Sequence, residues 1–320
     1  MEKIKIFYST LLPYFKEAQK YFDYKKVHFL LSGYIPKYEA FCPSGSFKDY
    51  ITSYSLLFLK KGKLVVASAG NVARAFAYRA SRLKKDIVIF TPKYALENLK
   101  IPILPHRGVK VFAINGTYED AINSAKKFVS RFKSKYILER GFKNRYRILG
   151  LSRLFEKLIK ILKFDIYFQA VSGGVGPISL FYACKKLNSK LPRFFLSQNL
   201  PYAPLYTYIK EKKLPNKTLE PLTLAKVLTN SKADLKYLHK LLKITNGQIL
   251  AIENEELLSI KKDWENILDV EIDFSVAVTL ASVKKALENN LLKGEPILVH
   301  LTGAGYSLIK KYSLKYFLYE

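Results

Sequence analysis

This sequence has few of the residues that build disulfide frameworks and metal sites. Only two of its 320 residues are cysteines, Cys42 and Cys184, and they lie in different segments without a metal-binding spacing. No two of its four histidines have the i, i+4 or His-x-His spacing of a helical or strand metal site. We therefore expect no bound metal and a reducing, cytoplasmic location.

Long apolar runs are also missing. The longest, such as 55–59 and 166–171, are far too short to span a bilayer, and residues 1–5 are not followed by the apolar core of a signal peptide. Hydrophobic residues nevertheless make up 49% of the chain, which is typical of a folded globular protein. The sequence predicts no membrane partner, and either one large core or two medium ones.

Acidic residues are scarce beside basic ones. The chain has 26 Asp and Glu against 54 Lys and Arg, which gives a net charge of +28. Such a charge is compatible with nucleic-acid binding. However, the lysines are spread in pairs along the whole chain, and no zinc-finger spacing or RNP-type strand is present. The pattern favours a solvated surface that attracts small anionic substrates, with no specific nucleic-acid partner.

From about residue 64 the chain alternates short apolar runs with amphipathic stretches. We predict strands at 64–67, 87–90, 109–114, 136–138, 165–171, 194–196 and 296–301. Helices are predicted at 71–82, 117–132, 177–187, 254–268 and 274–288, with helical patterns over much of 203–244. This alternation predicts an α/β protein of two three-layer lobes with parallel sheets and a ligand cleft between them. The smaller lobe is predicted at 30–145, and the larger at 1–29 and 146–320.

One lysine stands in an unusual setting. Residues 43–49 read Pro-Ser-Gly-Ser-Phe-Lys-Asp, which places Lys48 just after a tight Ser/Gly turn and beside Phe47. A lysine attacks a carbonyl only when it is deprotonated, and burial beside apolar groups lowers the pKa of its amine. Lys48 is therefore the candidate for covalent catalysis.

Three turns at the ends of predicted strands are candidate ligand loops. Ser68, Ala69 and Gly70 lead into Asn71, where a helix is predicted to begin, and free backbone N–H groups there favour an anion. The segment 172–176 reads Ser-Gly-Gly-Val-Gly and opens another helix. Each motif alone also has an ordinary explanation, such as an N-cap by an asparagine, and the glycine turn matches neither the dinucleotide nor the Walker spacing.

The third turn follows Thr302, which ends the last predicted strand and precedes two further glycines, Gly303 and Gly305. Together and in this order, these segments resemble pyridoxal-phosphate (PLP) enzymes of the tryptophan-synthase-β type, or fold type II. Residues 43–49 are similar to the PTGSFKD element of threonine synthases, with Ser44 in place of Thr. The resemblance implies PLP as the cofactor and Lys48 as the lysine that binds it covalently.

The resemblance also assigns the remaining contacts. It implies that Asn71 hydrogen-bonds the phenolic oxygen of PLP and that Thr302 faces the ring nitrogen. The phosphate loop it implies consists of Ser172, Gly173, Gly174, Val175 and Gly176. A hydroxyl at the ring nitrogen supplies no negative charge, which suits β-elimination and replacement more than transamination. The loop Ser68, Ala69 and Gly70 would hold the substrate carboxylate, and the further cations proposed for anionic substrates are Arg74, Lys143, Arg145 and Arg147.

Within this family, residues 65–71, 139–145, 167–171 and 196–204 are most similar to archaeal cysteate synthases. That similarity implies a homodimer and a PLP-dependent β-replacement on the way to coenzyme M. O-Phospho-L-serine loses phosphate, sulfite adds to give L-cysteate, and Lys48 acts as the general base at Cα. Threonine synthase on O-phosphohomoserine, another β-replacement enzyme or a deaminase stay open, as does a non-catalytic ligand- or nucleic-acid-binding protein on this fold.

The sequence departs from the family pattern at three places. Val72 stands where the family usually has Thr, and the phosphate loop lacks its common Thr, for which Ser172 could compensate. The region before residue 40 is also atypical. These departures affect the expected substrate and nucleophile more than they affect PLP binding.

Overall fold

The computed structural model describes residues 2–58, 62–230, 233–309 and 312–319. The chain divides into two compact units. Unit 1 comprises Met1–Phe41 and Leu151–Ser307, and unit 2 comprises Cys42–Gly150 and Leu308–Glu320. Among the described residues, no helix combines the length and the apolar character needed to cross a membrane.

The strands and helices are numbered along the chain. The strands are β1 (Ile4–Ile6), β2 (Ser9–Leu12), β3 (Val27–Leu31), β4 (Tyr34–Ile35), β5 (Ala40–Phe41), β6 (Lys63–Ala67), β7 (Ile87–Pro92), β8 (Lys100–Ile101), β9 (Val109–Ile114), β10 (Tyr136–Leu138), β11 (Ile166–Ala170), β12 (Arg193–Asn199), β13 (Gln248–Ile252), β14 (Ile297–Leu301), β15 (Tyr312–Ser313) and β16 (Tyr316–Leu318). The helices are α1 (Lys16–Phe22), α2 (Lys48–Leu57), α3 (Asn71–Arg82), α4 (Tyr118–Arg131), α5 (Arg145–Ile161), α6 (Val175–Lys186), α7 (Pro204–Glu211), α8 (Leu235–Ile244), α9 (Asn254–Leu268) and α10 (Phe274–Glu288).

Unit 1 is built on a seven-stranded sheet in the order β1-β2-β3-β14-β11-β12-β13. The strands from β3 to β13 in this order are parallel, and β1 and β2 are antiparallel additions at one edge. One face carries the main core with α9 and α10, where Trp264 stacks on Phe29 with ring centroids 5.0 Å apart. On the opposite face, Phe155 of α5 packs edge-on against Tyr167 of β11. Because both faces are covered, β11 and β14 are buried at every position.

Unit 2 is built on a five-stranded sheet in the order β10-β6-β7-β9-β16, and all its pairings are parallel. Residues of α2 and α3 pack with one face, and α4 covers the other. The alternation along β6 explains this division, since Leu64 and Val66 lie in the first core and Val65 in the second.

The α/β class with parallel sheets, predicted from the alternation of strands and helices, is confirmed. The unit limits differ from the predicted lobes at three places. Unit 2 begins at Cys42 and ends at Gly150, and it includes the C-terminal segment because β16 pairs with β9. The helical pattern over 203–244 forms α7 and α8, separated by two 3-10 turns in a stretch that contains Pro221.

Candidate active site

Lys48 is the first residue of α2, directly after a tight turn. The N–H of Gly45 donates to the carbonyl of Cys42 at 2.9 Å, and Gly45 has a φ of +73°, a conformation that favours glycine. The Lys48 amine lies 3.9 Å from the centroid of the buried Phe47 ring. The predicted nucleophile is thus held at a helix start beside an aromatic face.

Asp49 is a buried carboxylate next to Lys48 that the sequence did not single out. It is 1% exposed, its Oδ2 accepts from the Ser44 N–H at 2.9 Å, and no described residue hydrogen-bonds its Oδ1. Burial raises the pKa of Asp49 to about 6, although the Ser44 hydrogen bond and the positive charges of Arg79 and Arg74 lower it. Asp49 therefore ties the turn before Lys48 to the start of α2.

Replacement of Asp49 by asparagine tests this pKa through stability. In the folded chain the pKa is about 6 instead of the ordinary 3.8, so between these values the folded state holds a proton that the unfolded state has released. The resulting stabilisation is complete below the unfolded value and lost as the pH rises through the folded one. From about pH 5 to about pH 7.5, we expect the wild-type apoprotein to lose about 1.4 kcal/mol relative to Asp49→Asn. Urea denaturation at both pH values measures this difference, and identical pH dependence of the two proteins would contradict it.

The loop between β6 and α3 has its own helix cap. The Ser68 hydroxyl accepts from the N–H groups of Gly70 and Ala73, each at 3.3 Å. Asn71 is the first residue of α3, and its side-chain oxygen accepts a hydrogen bond from Arg74. The Ser68 side chain therefore satisfies the N–H of Ala73 in the first turn of α3, where Gly70 is the N-cap residue. The Asn71 side chain is directed toward Arg74. An ideal Cβ on Gly70 would have no described atom within 4 Å, so the loop backbone has open space beside it.

The other predicted cations in unit 2 lie in different environments. Arg147 forms a buried, two-pronged ion pair with Glu139, with nitrogen–oxygen distances of 2.8 and 2.6 Å. Lys143 is exposed at the end of a 3-10 turn. Arg145 is exposed at the start of α5, where it donates to the Tyr146 hydroxyl at 3.2 Å. The guanidinium of Arg147 is thus neutralised by a carboxylate, and the two exposed side chains are better placed to meet an anion from solution.

Tyr118 is a further candidate ligand-binding residue that was not predicted from the sequence. Its hydroxyl lies 3.4 Å from the carbonyl oxygen of Ala67, the last residue of β6 and the neighbour of the 68–70 loop. The side chain is 45% exposed. Ligands of parallel sheets bind at the carboxyl ends of strands, and a residue that begins the helix after β9 lies at that edge. Its place at the start of the helix that follows a predicted strand is the signal by which the sequence could have identified Tyr118.

In unit 1, the predicted phosphate loop joins β11 to α6. The helix begins at Val175, two residues before the predicted start at Pro177. Among the described residues, none accepts a hydrogen bond from the backbone N–H groups of 172–176. Five consecutive N–H groups at the positive end of a twelve-residue helix form a site suited to a phosphate.

Two glycines of this loop, Gly174 and Gly176, are in close contact with neighbouring side chains. Gly174 has a φ of +75°, and a Cβ there would lie 2.4 Å from Leu238 Cδ2. A Cβ on Gly176 would lie 1.9 Å from Gln169 Oε1. Neither position accepts a side chain without a displacement of its neighbour. The side chains of Leu238 and Gln169 therefore pack directly against the loop backbone at these two positions.

A chain of buried hydrogen bonds runs across unit 1 behind this loop. The Tyr167 hydroxyl donates to Gln169 Oε1 at 2.7 Å and lies 2.8 Å from His300 Nδ1. His300 Nε2 in turn lies 2.9 Å from the Ser32 hydroxyl, which lies 2.7 Å from that of Ser9. Because tyrosine has one proton to give, His300 Nδ1–H donates to Tyr167, and Nε2 accepts from Ser32. The chain orders side chains on the strands β2, β14 and β11 and at Ser32, which directly follows β3.

Thr302 directly follows β14, two residues after the histidine of this chain. It is 5% exposed, and no described residue hydrogen-bonds its hydroxyl. The backbone around it is held in place, since the carbonyl of Gly303 accepts from Asp273 N–H and Gly305 N–H donates to Glu271. Buried hydroxyls normally have a partner, so this one is available to a ligand atom.

The family model described as "Pyridoxal-phosphate dependent enzyme" matches residues 29–303. This chain belongs to that family, and PLP is its cofactor. The groups described above fit PLP: a lysine amine for its aldehyde, five backbone N–H groups for its phosphate, and an amide and a hydroxyl for its polar ring atoms.

Curated relatives and solved structures agree with this membership. The chain is 34% identical to the cysteate synthase of Methanosarcina barkeri over 315 residues, which cover 90% of this chain and 74% of that protein. It is 30% identical to the cysteate synthase of Methanocorpusculum labreanum over 307 residues, 88% of this chain and 74% of that one. The structure of maize serine racemase has a TM-score of 0.72 at 17% identity, with 93% of this chain and 88% of that chain covered. The predicted fold-type II family and the similarity to cysteate synthases are confirmed, and the structural likeness supports the fold alone.

Proposed function

We propose that this protein is a PLP-dependent β-replacement enzyme that converts O-phospho-L-serine and sulfite to L-cysteate and phosphate. The observation that carries the proposal is the 34% identity to a cysteate synthase along 90% of the chain. Two observations support the same family of reactions. The N–H groups of 172–176, which no described residue accepts from, suit the phosphate of PLP. The hydroxyl of Thr302 suits a PLP ring whose nitrogen carries no charge.

The residues divide the work as follows. Lys48 would hold PLP through its amine and, once the substrate has taken its place, would move the proton at the substrate Cα. When bound, PLP supplies a sink for the electron pair that this proton leaves behind. Asn71 would donate to the phenolic oxygen, the 172–176 loop would hold the cofactor phosphate, and the Thr302 hydroxyl would meet the ring nitrogen.

The bond changes of the reaction balance. The Cβ–O bond of phosphoserine breaks and releases phosphate, a bond forms between Cβ and the sulfur of sulfite, and the Cα proton is removed and returned. Both co-substrates are anions. The loop Ser68, Ala69 and Gly70 would hold the substrate carboxylate mainly through the Ala69 N–H, because the N–H groups of Ser68 and Gly70 already donate to the Phe90 carbonyl and to Ser68 Oγ. Lys143 and Arg145, both exposed, would attract the second anion. The net charge of +28 favours this attraction at low ionic strength.

A phosphate-release assay with alternative substrates tests the proposal. The purified protein with PLP is given O-phospho-L-serine or O-phosphohomoserine, each with and without sulfite. We expect phosphate from phosphoserine, with a rate that sulfite increases. Release from phosphohomoserine alone, with threonine as product, would assign the protein to threonine synthesis. Release from phosphoserine that sulfite does not affect, with pyruvate as product, would identify a lyase.

A further inference from the structure

We propose that Arg74 is a positioning residue that sets the orientation of the Asn71 amide, and that it does not bind the substrate. The inference rests on the proposed contact between Asn71 and the phenolic oxygen of PLP. The sequence predicts Arg74 as a contact of an anionic substrate, because it lies one turn after Asn71 on α3. The geometry of its guanidinium points to another role.

Two hydrogen bonds of Arg74 are made within unit 2. Its Nη2 donates to Asn71 Oδ1, and its Nη1 donates to the backbone carbonyl of Asn98 at 3.3 Å. A guanidinium has donors and no acceptor, so the atom of Asn71 that it contacts must be the amide oxygen. The amide NH₂ group of Asn71, the donor end of the side chain, is therefore directed away from Arg74. A donor is what the phenolic oxygen of PLP requires.

The burial of Arg74 argues against a role in substrate capture. The residue is 5% exposed, whereas Arg145, in the same unit, is an exposed cation. A buried guanidinium is stable only where acceptors or opposite charges surround it. Arg74 has two protein oxygens as acceptors, and its charge acts on the buried Asp49. Arg74 is thus part of the packed interior of this unit.

Asp49 connects the arrangement to the catalytic lysine. The carboxylate follows Lys48 in sequence, and its pKa is lowered by the charge of Arg74 against the larger effect of burial. The same guanidinium therefore acts on the residue beside Lys48 and on the side chain proposed to hold the phenolic oxygen. Without Arg74, the Asn71 amide could rotate and present its oxygen, an acceptor, to the phenolic oxygen.

A double-mutant cycle distinguishes positioning from substrate binding. The variants are Asn71→Ala, Arg74→Gln and the double variant, and the readout is the dissociation constant of PLP from the apoprotein, measured by visible absorbance. We expect each single variant to bind PLP about tenfold more weakly, and the double variant to be no weaker than Asn71→Ala alone, because Arg74 acts through Asn71. Arg82→Gln, an exposed arginine on the same helix, is the matched control and should bind PLP as the wild type does.

Three outcomes would overturn the inference. If the factor by which the double variant weakens PLP binding equals the product of the two single-variant factors, Arg74 acts independently of Asn71. Unchanged PLP binding in Arg74→Gln, with a raised KM for O-phosphoserine, would make Arg74 a substrate contact. Unchanged PLP binding in Asn71→Ala would refute the proposed role of Asn71 itself and the inference with it. The thermal midpoint of each apoprotein reports its folding, and Arg74→Lys, which keeps the charge beside Asp49, replaces the glutamine variant if that one does not fold.

Discussion

Replacement of Lys48 by alanine is expected to remove the covalent bond between protein and PLP and to lower turnover at least about a thousandfold. The amine at this position is proposed both to bind the cofactor and to move the Cα proton, so its loss removes two functions at once. Phe47, whose ring lies 3.9 Å from the amine, and the turn before it remain in the variant. The fold should therefore persist while the chemistry is lost.

Reduction with borohydride followed by peptide mass spectrometry measures the covalent bond directly. In the wild type, the mass of reduced PLP should be found on the peptide that contains Lys48. In Lys48→Ala it should be absent from every lysine, and the visible band of the bound cofactor should change with it. Lys110→Ala, which removes an exposed lysine of the same unit, is the matched control. Full labelling of another lysine in the wild type would refute the assignment.

Substitution of Gly176 by alanine is expected to weaken PLP binding about 100-fold while it changes the affinity for pyridoxal, which lacks the phosphate, only slightly. The added Cβ would lie 1.9 Å from Gln169 Oε1, and that glutamine accepts from the buried Tyr167. Because this hydrogen bond and burial hold the Gln169 side chain, we expect the start of α6 to move and its N–H groups to leave their positions. Two weakened hydrogen bonds to a charged phosphate, at about 1.5 kcal/mol each, give a loss of this size.

The comparison of PLP with pyridoxal separates a phosphate effect from general destabilisation. Gly294→Ala is the control, because this glycine of the same unit has a positive φ, and a Cβ there would meet no described atom within 4 Å. We expect the control to lose some stability and to keep its preference for PLP over pyridoxal. An equal loss of affinity for both ligands in Gly176→Ala would show that 172–176 does not hold the phosphate.

The sequence predicted best the elements whose periodicity is local. Helix α3 and helix α10, and strands β9 and β10, have the predicted limits because their apolar spacing and flanking turns lie within one segment. The strands β1 to β5 were not predicted. The strands β1 and β2 are stabilised by their neighbours in the sheet, and β4 and β5 have only two residues each, too few for a periodic signal. Helix α2 was not predicted, because residues 43–49 were interpreted as a turn that carries the lysine, and Lys48 is the first residue of this helix.

The residues of the candidate site that belong to local sequence motifs could be predicted. The contacts that form only when distant segments fold together could not. Turns and strand ends can be recognised in a single sequence, and the predicted site residues lie at such places: Lys48, Asn71, the 172–176 loop and Thr302. The chain from Ser9 to Gln169 depends on which strands are neighbours, and a single sequence does not record that order. The pairing of Arg147 with Glu139 depends on how the segment between β10 and α5 folds back on itself. The homodimer and the cellular location stay predictions.

The ratio of L-cysteate to phosphate formed from O-phospho-L-serine and sulfite is the decisive measurement of β-replacement by this protein. Mass spectrometry quantifies cysteate, and a colorimetric assay quantifies phosphate in the same reaction. We expect equal amounts of the two products from the wild type, and neither product from Lys48→Ala. Phosphate without cysteate, or cysteate formed equally well by the Lys48→Ala variant, would contradict this expectation.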